Sequence, residues 1–346
     1  MVIPAKAGIH QPAAPAAERI GPGLRRDEHR LTPMFAYIIR RILATIPVMT
    51  VVAIFVFGLL YLSPGDPAAI IAGDSATSAD IARIHAKLGL DRPFYVQFAT
   101  WVWALLHGDL GISIFTNLPV LKLIGQRVEP TAALTVSTLI ISVSVAIPLG
   151  VLAAAKAGTW IDRAVMVFAV IGFSVPVFVL AYILIYIFSI EADVLPVQGY
   201  VSLSEGLRPF LSHLVMPTIA LGAVYIALIA RITRASMLDV LSQDYIRTAQ
   251  AKGLSNENVL IVHALRNAAV PIATVIGIGV AVLIGGVVVT ETVFAIPGLG
   301  RLTVDAILRR DYPIIQGIIL IFSGIYVLIN LLVDLSYAVL DPRIRY

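Results

Sequence analysis

The residues of this 346-residue chain that could do chemistry are few, and their placement does not suit catalysis. There is no cysteine, which removes thiol nucleophiles, thiolate metal ligands and disulfides. The six histidines are scattered, and no pair has metal-ligand spacing. His213 and His263 each fall near the end of an apolar run, where an interfacial or solvated imidazole is expected. No G-x-x-x-x-G-K-[ST] occurs, so no P-loop can cradle a nucleotide. The GDLG stretch from Gly108 to Gly111 reads as a turn. One acid, Asp334, falls inside an apolar run beside Asn330, with Arg343 or a partner subunit as its expected counter-charge. No ladder of Asp, Glu and His crosses the apolar runs, as a proton relay needs. No catalytic site, metal site or cofactor site is expected in this chain.

What remains is a charged segment between two apolar runs, Asp244 to Pro271, reading DYIRTAQAKGLSNENVLIVHALRNAAVP. Ser242 or Asp244 is placed to cap a helix running to Lys252, and Gly253 to supply its left-handed stop. Ser255 is placed to cap a second helix, with Glu257 favourable in its first turn. Pro271 suits the first turn of the apolar run that follows. Ala249 and Ala251 are small, so another surface can approach closely. A mere connector does not need two ordered helices. The segment is expected to be gripped by a partner, against the plainer reading of an amphipathic loop resting on lipid headgroups.

The elements that position it are membrane spans. The chain is 59% hydrophobic and 13% charged, half the charged share of ordinary soluble domains. Six apolar runs approach or exceed the roughly 20 residues a bilayer needs: Ile42–Leu62, Ala132–Ala155, Arg163–Ile190, Leu214–Ile232, Ala269–Thr290 and Ile314–Leu340. Pro47, Pro148, Pro176, Gly285 and Gly286 fall inside them, as membrane helices tolerate. With the N-terminus inside, 16 of the 25 Lys and Arg lie on the inner side, and five of the other nine sit in a loop too long to count. Both termini and the Asp244–Pro271 segment are therefore expected in the cytoplasm. Basic residues that flank spans give no reason to expect a nucleic-acid partner.

Residues 1–33, rich in Ala, Pro and Arg, read as a disordered tail or an upstream start with Met34 as initiator. The first span is too long for a signal peptide, and YLSPGDPA lacks a small-x-small cleavage site. Residues 63–130 read as an extracytoplasmic lid: a Pro64–Ala68 turn, a helix from Asp80 to Leu88 capped by Ser78 and stopped by Gly89, and a second from Phe94 to Leu106. Trp101 and Trp103 suit the bilayer interface. In the last outer loop, PGLG (297–300) reads as a turn followed by a helix from Leu302 to Arg310, and Pro313 starts the final span.

At this point AQAKGLSNENVLIVHALRNAAVP resembles the "EAA" coupling loop of ABC importer permeases, in the variant of the dipeptide, oligopeptide and nickel family. The resemblance extends through LSPGDPA (62–68), KLGLDRPFYVQF (87–98), GDLGIS (108–113), PLGVLAAA (148–155), TETVFAIPGLGRL (290–302), RDYPIIQG (310–317) and LDPRIRY (340–346). PGDPA and ETVFAIPGLGRL look like the B-type subunit. Two features depart from the general motif. Arg247-Thr248-Ala249 stands where Glu-Ala-Ala is usual, and Pro271 stands further from Gly253 than the general motif places its proline.

The resemblance implies the all-α, six-helix membrane fold of the type I ABC importer permease, with a small helical lid. It divides the chain into a tail (1–33), an N-terminal segment with the first span (34–62), the lid (63–130) and a permease core (131–346) holding a coupling loop at 233–268. It implies a transmembrane subunit, in the bacterial inner membrane, of an importer for peptides or related solutes such as glutathione or nickel chelates. The partners would be a C-type permease subunit in a heterodimer, two ABC ATPase subunits carrying ATP and magnesium, and an extracytoplasmic solute-binding protein. Tyr245, Arg247, Ala249, Ala251, Lys252, Gly253, Leu254, Ser255 and Pro271 would serve the ATPase coupling, and Pro297, Gly298, Gly300 and Arg301 would face the binding protein. An ion-coupled carrier or a membrane scaffold is the alternative without the resemblance. The first lacks intramembrane ionisable groups, and the second leaves the ordered loop unexplained.

Overall fold

A computed structural model describes residues 28–62, 68–69, 77–88 and 91–340. Among these the chain is helical, apart from turns, loops and a bridge between Ile112 and Pro119. Residues 1–27, 63–67, 70–76, 89–90 and 341–346 lie outside the described residues, and with them most of the tail, most of the Pro64–Ala68 turn, Gly89 and Arg343.

Helix α1 (Glu28–Leu62) is followed by α2 (Ser78–Leu88) and α3 (Phe94–Leu106). The helical stretch thus begins within the expected tail, at Glu28. Ser78 is the first residue of α2, and α3 has the bounds expected. Phe94, Phe98 and Trp101 of α3 gather around Phe57 and Tyr61, with ring centroids 5.2–5.5 Å from one or other of them. Edge-on and tilted aromatic packing of this kind ties the lid to the end of the first span.

Helix α4 (Val120–Ala155) is 36 residues long and starts well before Ala132. Pro119 supplies extended backbone before it, and Val120, Leu123 and Ile124 form a buried stripe at helical spacing. That stripe packs on Leu299, Leu302, Ile314 and Ile318, so the segment expected to be lid belongs to the core. Its partner α7 (Leu207–Leu241) has 35 residues. At about 1.5 Å per residue both helices exceed a hydrocarbon core of about 30 Å and project beyond it. The two helices share the most extensive interface among the described residues. It is built on small and hydroxyl residues. A Cβ added at Gly150 would stand 2.5 Å from the Thr233 Cβ, Ser137 and Thr218 share a hydrogen bond of 2.8 Å, and Ser142 approaches the Gly222 carbonyl. Small residues let membrane helices meet at backbone distance, where dispersion replaces the missing hydrophobic drive.

The expected third span, Arg163–Ile190, is not one helix. It is α5 (Trp160–Ser174) and α6 (Val177–Ile185), the latter running on as π-helix to Glu191, and the two halves bend by 98°. Pro176 is the cause. It has no N–H to continue the ladder, and it drives Val175 to φ −83, ψ 122. Proline is tolerated inside α4 at Pro130 and Pro148 but breaks the chain here.

After α7 comes a short helix, α8 (Asp244–Ala251). A helical turn at Asn256–Asn258 then passes into π-helix at Val259–Leu265 and directly into α9 (Arg266–Val293). The second loop helix and the fifth span are therefore one continuous run. Pro271 sits inside α9, not in its first turn. Helix α10 (Leu299–Arg309) and α11 (Tyr312–Leu340) complete the fold, with Arg310 at φ 56 closing α10 where glycine is usual.

Candidate functional site

Helix α8 lies at one end of the bundle, pinned there by its inner face. Ile246 is fully buried and Ala249 is 8% exposed. They pack with Ala154 of α4, Met237 of α7, and Val259, Ala264, Ala268 and Ile272 of the run into α9. The spacing of three brings both residues to one side of the helix. Ala249 therefore faces the core and offers no surface to a partner, contrary to expectation. Neither Ser242 nor Asp244 caps the helix. Gln243 is the N-cap, without a side-chain hydrogen bond, and Asp244 lies in the first turn.

The far end of α8 is closed more firmly. Gly253 takes φ 81, its N–H donates to the Gln250 carbonyl at 2.9 Å, and the Leu254 N–H reaches the Ala249 carbonyl at 3.4 Å. Those two bonds, with Leu254 packed in the same apolar cluster as Ala249, make a Schellman motif. Ser255 caps the next helical turn by accepting from the Asn258 N–H. The outer face carries Tyr245, Arg247, Thr248, Gln250, Ala251, Lys252, Gly253 and Ser255, all exposed. Arg247 stands 3.5 Å from Asp244, but both side chains are open to solvent, so the pair contributes little and leaves both free to meet a partner.

Two ion pairs fix the spans near this end. Arg234 of α7 donates twice to Asp162 of α5, at 2.5 and 2.7 Å, and the Gly158 N–H donates to the same carboxylate at 2.9 Å. Asp334 of α11 pairs with Arg41 of α1, and the expected partner Arg343 lies outside the described residues. The sequence reading overlooked the Asp162–Arg234 pair because the two charges stand 72 positions apart, at the edges of different apolar runs.

At the opposite end, Glu291 closes α9 and is fully buried. It accepts from the Thr131 hydroxyl at 2.5 Å and the Arg301 N–H at 2.9 Å, and the Thr131 oxygen in turn accepts from the Leu299 N–H at 2.7 Å. Added Cβ atoms would stand 2.0 Å from Glu291 at Gly298 and 2.6 Å from the Val288 backbone at Gly300. These two glycines are therefore buried in a cradle for the carboxylate. Of the four residues expected to face a binding protein, Pro297 is exposed and Arg301 half-buried. The exposed surface of α10 is instead Ile307, Leu308, Arg309 and Arg310. A lone acid ending an apolar run and followed by PGLG was the signal available in the sequence. Nearby, the Ser113 hydroxyl donates to buried Asp311 at 2.6 Å, and Glu129 accepts from Ser202 at 2.5 Å and Tyr200 at 3.0 Å. Burial and then the bond to Glu129 push the Tyr200 hydroxyl up to about 12.

The described residues thus form an all-helical, multi-span bundle that presents an ordered polar helix at one end. Residues 146–346 match the family model of the binding-protein-dependent transport system inner membrane component, and residues 34–135 match the N-terminal model of such components. The chain belongs to this family of permeases. It is 58% identical over 313 residues to the probable peptide ABC transporter permease protein y4tP of Sinorhizobium fredii, covering 90% of this chain and 100% of that one. It is 41% identical over 337 residues to the dipeptide transport system permease protein DppB of Escherichia coli K12, covering 90% and 99%. The inward-facing MetNI methionine ABC transporter is similar in fold, with TM-score 0.53 over 63% of this chain and 96% of that one at 18% identity.

Proposed function

We propose that the chain is the B-type permease subunit of an ATP-driven importer of dipeptides or oligopeptides. The names of its relatives, y4tP and DppB, support the substrate class. The observation that carries the coupling reading is α8: a polar helix held rigidly by Ile246, Ala249 and a Schellman stop, with a polar, exposed outer face. In this reading α8 sits in a cleft of one of two ATPase subunits, which bind the ATP and magnesium. A C-type permease subunit completes the membrane dimer, and a solute-binding protein meets the end that carries α10. The end that carries α8 faces the cytoplasm of an inner membrane, as do both termini. The continuous helix from Asn256 to Val293 gives the movement of a docked ATPase a direct path to the opposite end. A rigid element that each partner contacts differently in each state is what such a switch requires.

The test is reconstitution. This chain, purified with the products of neighbouring permease, ATPase and binding-protein genes, is expected to support ATP-dependent uptake of a labelled dipeptide into proteoliposomes. Mass spectrometry of the ligand held by the binding protein then distinguishes peptides from glutathione or a nickel chelate. A chain that purifies without ATPase subunits under these conditions contradicts the coupling reading.

A further inference from the structure

The 98° break between α5 and α6 leaves a cavity of about 230 Å³ against α7, walled by Met166, Val170, Phe173, Ser174, Leu228 and Arg231. Arg231 is the one charge in it. The Arg234 guanidinium, one turn further along α7, is paired with Asp162, but no described carboxylate pairs with Arg231. Its Cζ stands 5.9 Å from the centre of the Phe173 ring. The cavity reaches back along α7 to Ala227, so it lies on the side of Arg231 away from the α8 end. Arg231 is exposed at the border of an apolar span with no described carboxylate paired to it, so its guanidinium is free to meet an anion that enters the cavity.

The break supplies the complementary charge. The carbonyl of Gly172 should receive the N–H of the residue four positions on, and that residue is Pro176, which has none. The C-terminal end of α5 thus brings acceptors and the negative end of its dipole toward the cavity. Interrupted helices present their ends to polar solutes in transporters for the same reason.

Resting on the peptide-import reading above, we propose that this cavity is a station for the substrate on its way through the membrane. Arg231 takes the terminal carboxylate of a short peptide, and the carbonyl end of α5 takes its ammonium. Phe173 and Met166 shelter the part between.

The experiment uses the whole importer in proteoliposomes with a labelled dipeptide, comparing wild type, Arg231→Gln and Arg231→Lys. Loss of a charge-assisted bond in an apolar cavity is expected to lower dipeptide uptake per ATP hydrolysed about tenfold in Arg231→Gln, with partial recovery in Arg231→Lys. Wild-type uptake with an unaffected Arg231→Gln overturns the station alone. A wild-type complex that hydrolyses ATP but takes up no dipeptide overturns the peptide reading and the station together. A defect seen in phosphatidylglycerol vesicles and absent in pure phosphatidylcholine assigns the guanidinium to a lipid headgroup and overturns the proposal. Should Arg231→Gln fail to assemble, Ser174→Cys decides. The dipeptide must slow its alkylation during turnover, and unchanged alkylation counts against the station.

Discussion

Replacing Gly253 with valine is expected to uncouple ATP hydrolysis from uptake while leaving the chain inserted. The perturbation is purely conformational. A Cβ added at Gly253 meets nothing within 4 Å, but the residue holds φ 81, where a non-glycine residue costs roughly 1–2 kcal/mol. A β-branched residue costs more, and asparagine, which tolerates the left-handed region, costs less. The strain falls on the Schellman motif that ends α8, since Leu254 can reach the Ala249 carbonyl only if Gly253 keeps that conformation. For an equilibrium between the ordered and unwound loop, about 1–2 kcal/mol is a factor of roughly 5–30. ATP-driven uptake by Gly253→Ala should therefore fall about 5–30-fold, by Gly253→Val more, and by Gly253→Asn should stay within about twofold of wild type. The assay is dipeptide uptake by the reconstituted complex, with copurification of the ATPase subunits scored in parallel. Uptake by Gly253→Val within twofold of wild type would refute the reasoning. So would Gly253→Asn behaving like Gly253→Val, which would mean that a partner surface, not the backbone, needs the glycine.

Further perturbations follow from named contacts, each read as thermal stability in detergent. Gly150→Ala puts a Cβ 2.5 Å from Thr233 and 2.7 Å from the Ala230 carbonyl, so it should cost about 1–3 kcal/mol. Gly58→Ala has open space near the end of α1 and should be neutral or stabilising by up to about 1 kcal/mol; equal effects would discredit the packing reading. Asp162→Asn strands the Arg234 guanidinium and should cost about 2–4 kcal/mol, with Asp162→Leu paired with Arg234→Met recovering much of it, whereas additive losses would show that the pair is not the unit. Glu291→Ala orphans the Thr131 hydroxyl and the Arg301 N–H, at about 1–3 kcal/mol each. Gly298→Ala should also destabilise, but less in the Glu291→Ala background, where the clash is gone; strict additivity would contradict the cradle.

Much of the fold was legible because membrane spans are written in composition. Apolar runs separated by charged connectors located the five described helices long and apolar enough to cross, but read as one span the pair that the structure bends by 98°. The loop around α8 was legible for the same kind of reason. Gly253 and Ser255 are backbone devices, and each acts in the structure as local chemistry requires. Helix extents were less legible. Val120 to Pro130 looked like lid because its buried partners, Leu302 and Ile318, lie far along the chain.

By itself, then, the sequence determined the class, the apolar spans and the turn chemistry of the loop, because hydropathy and backbone preference act over a few neighbouring residues. Only the tertiary structure decided which of those residues face outward. It turned Ala249 into the core and Lys252 into solvent, though both are helical neighbours. It made Pro176 a break and left Pro148 harmless, since only at Pro176 does the chain leave one helix and set off in a new direction. It joined Asp162 to Arg234 and wrapped Gly298 and Gly300 around Glu291. Charges and close approaches of this kind depend on helices that meet in space, and no local pattern records which helices will meet.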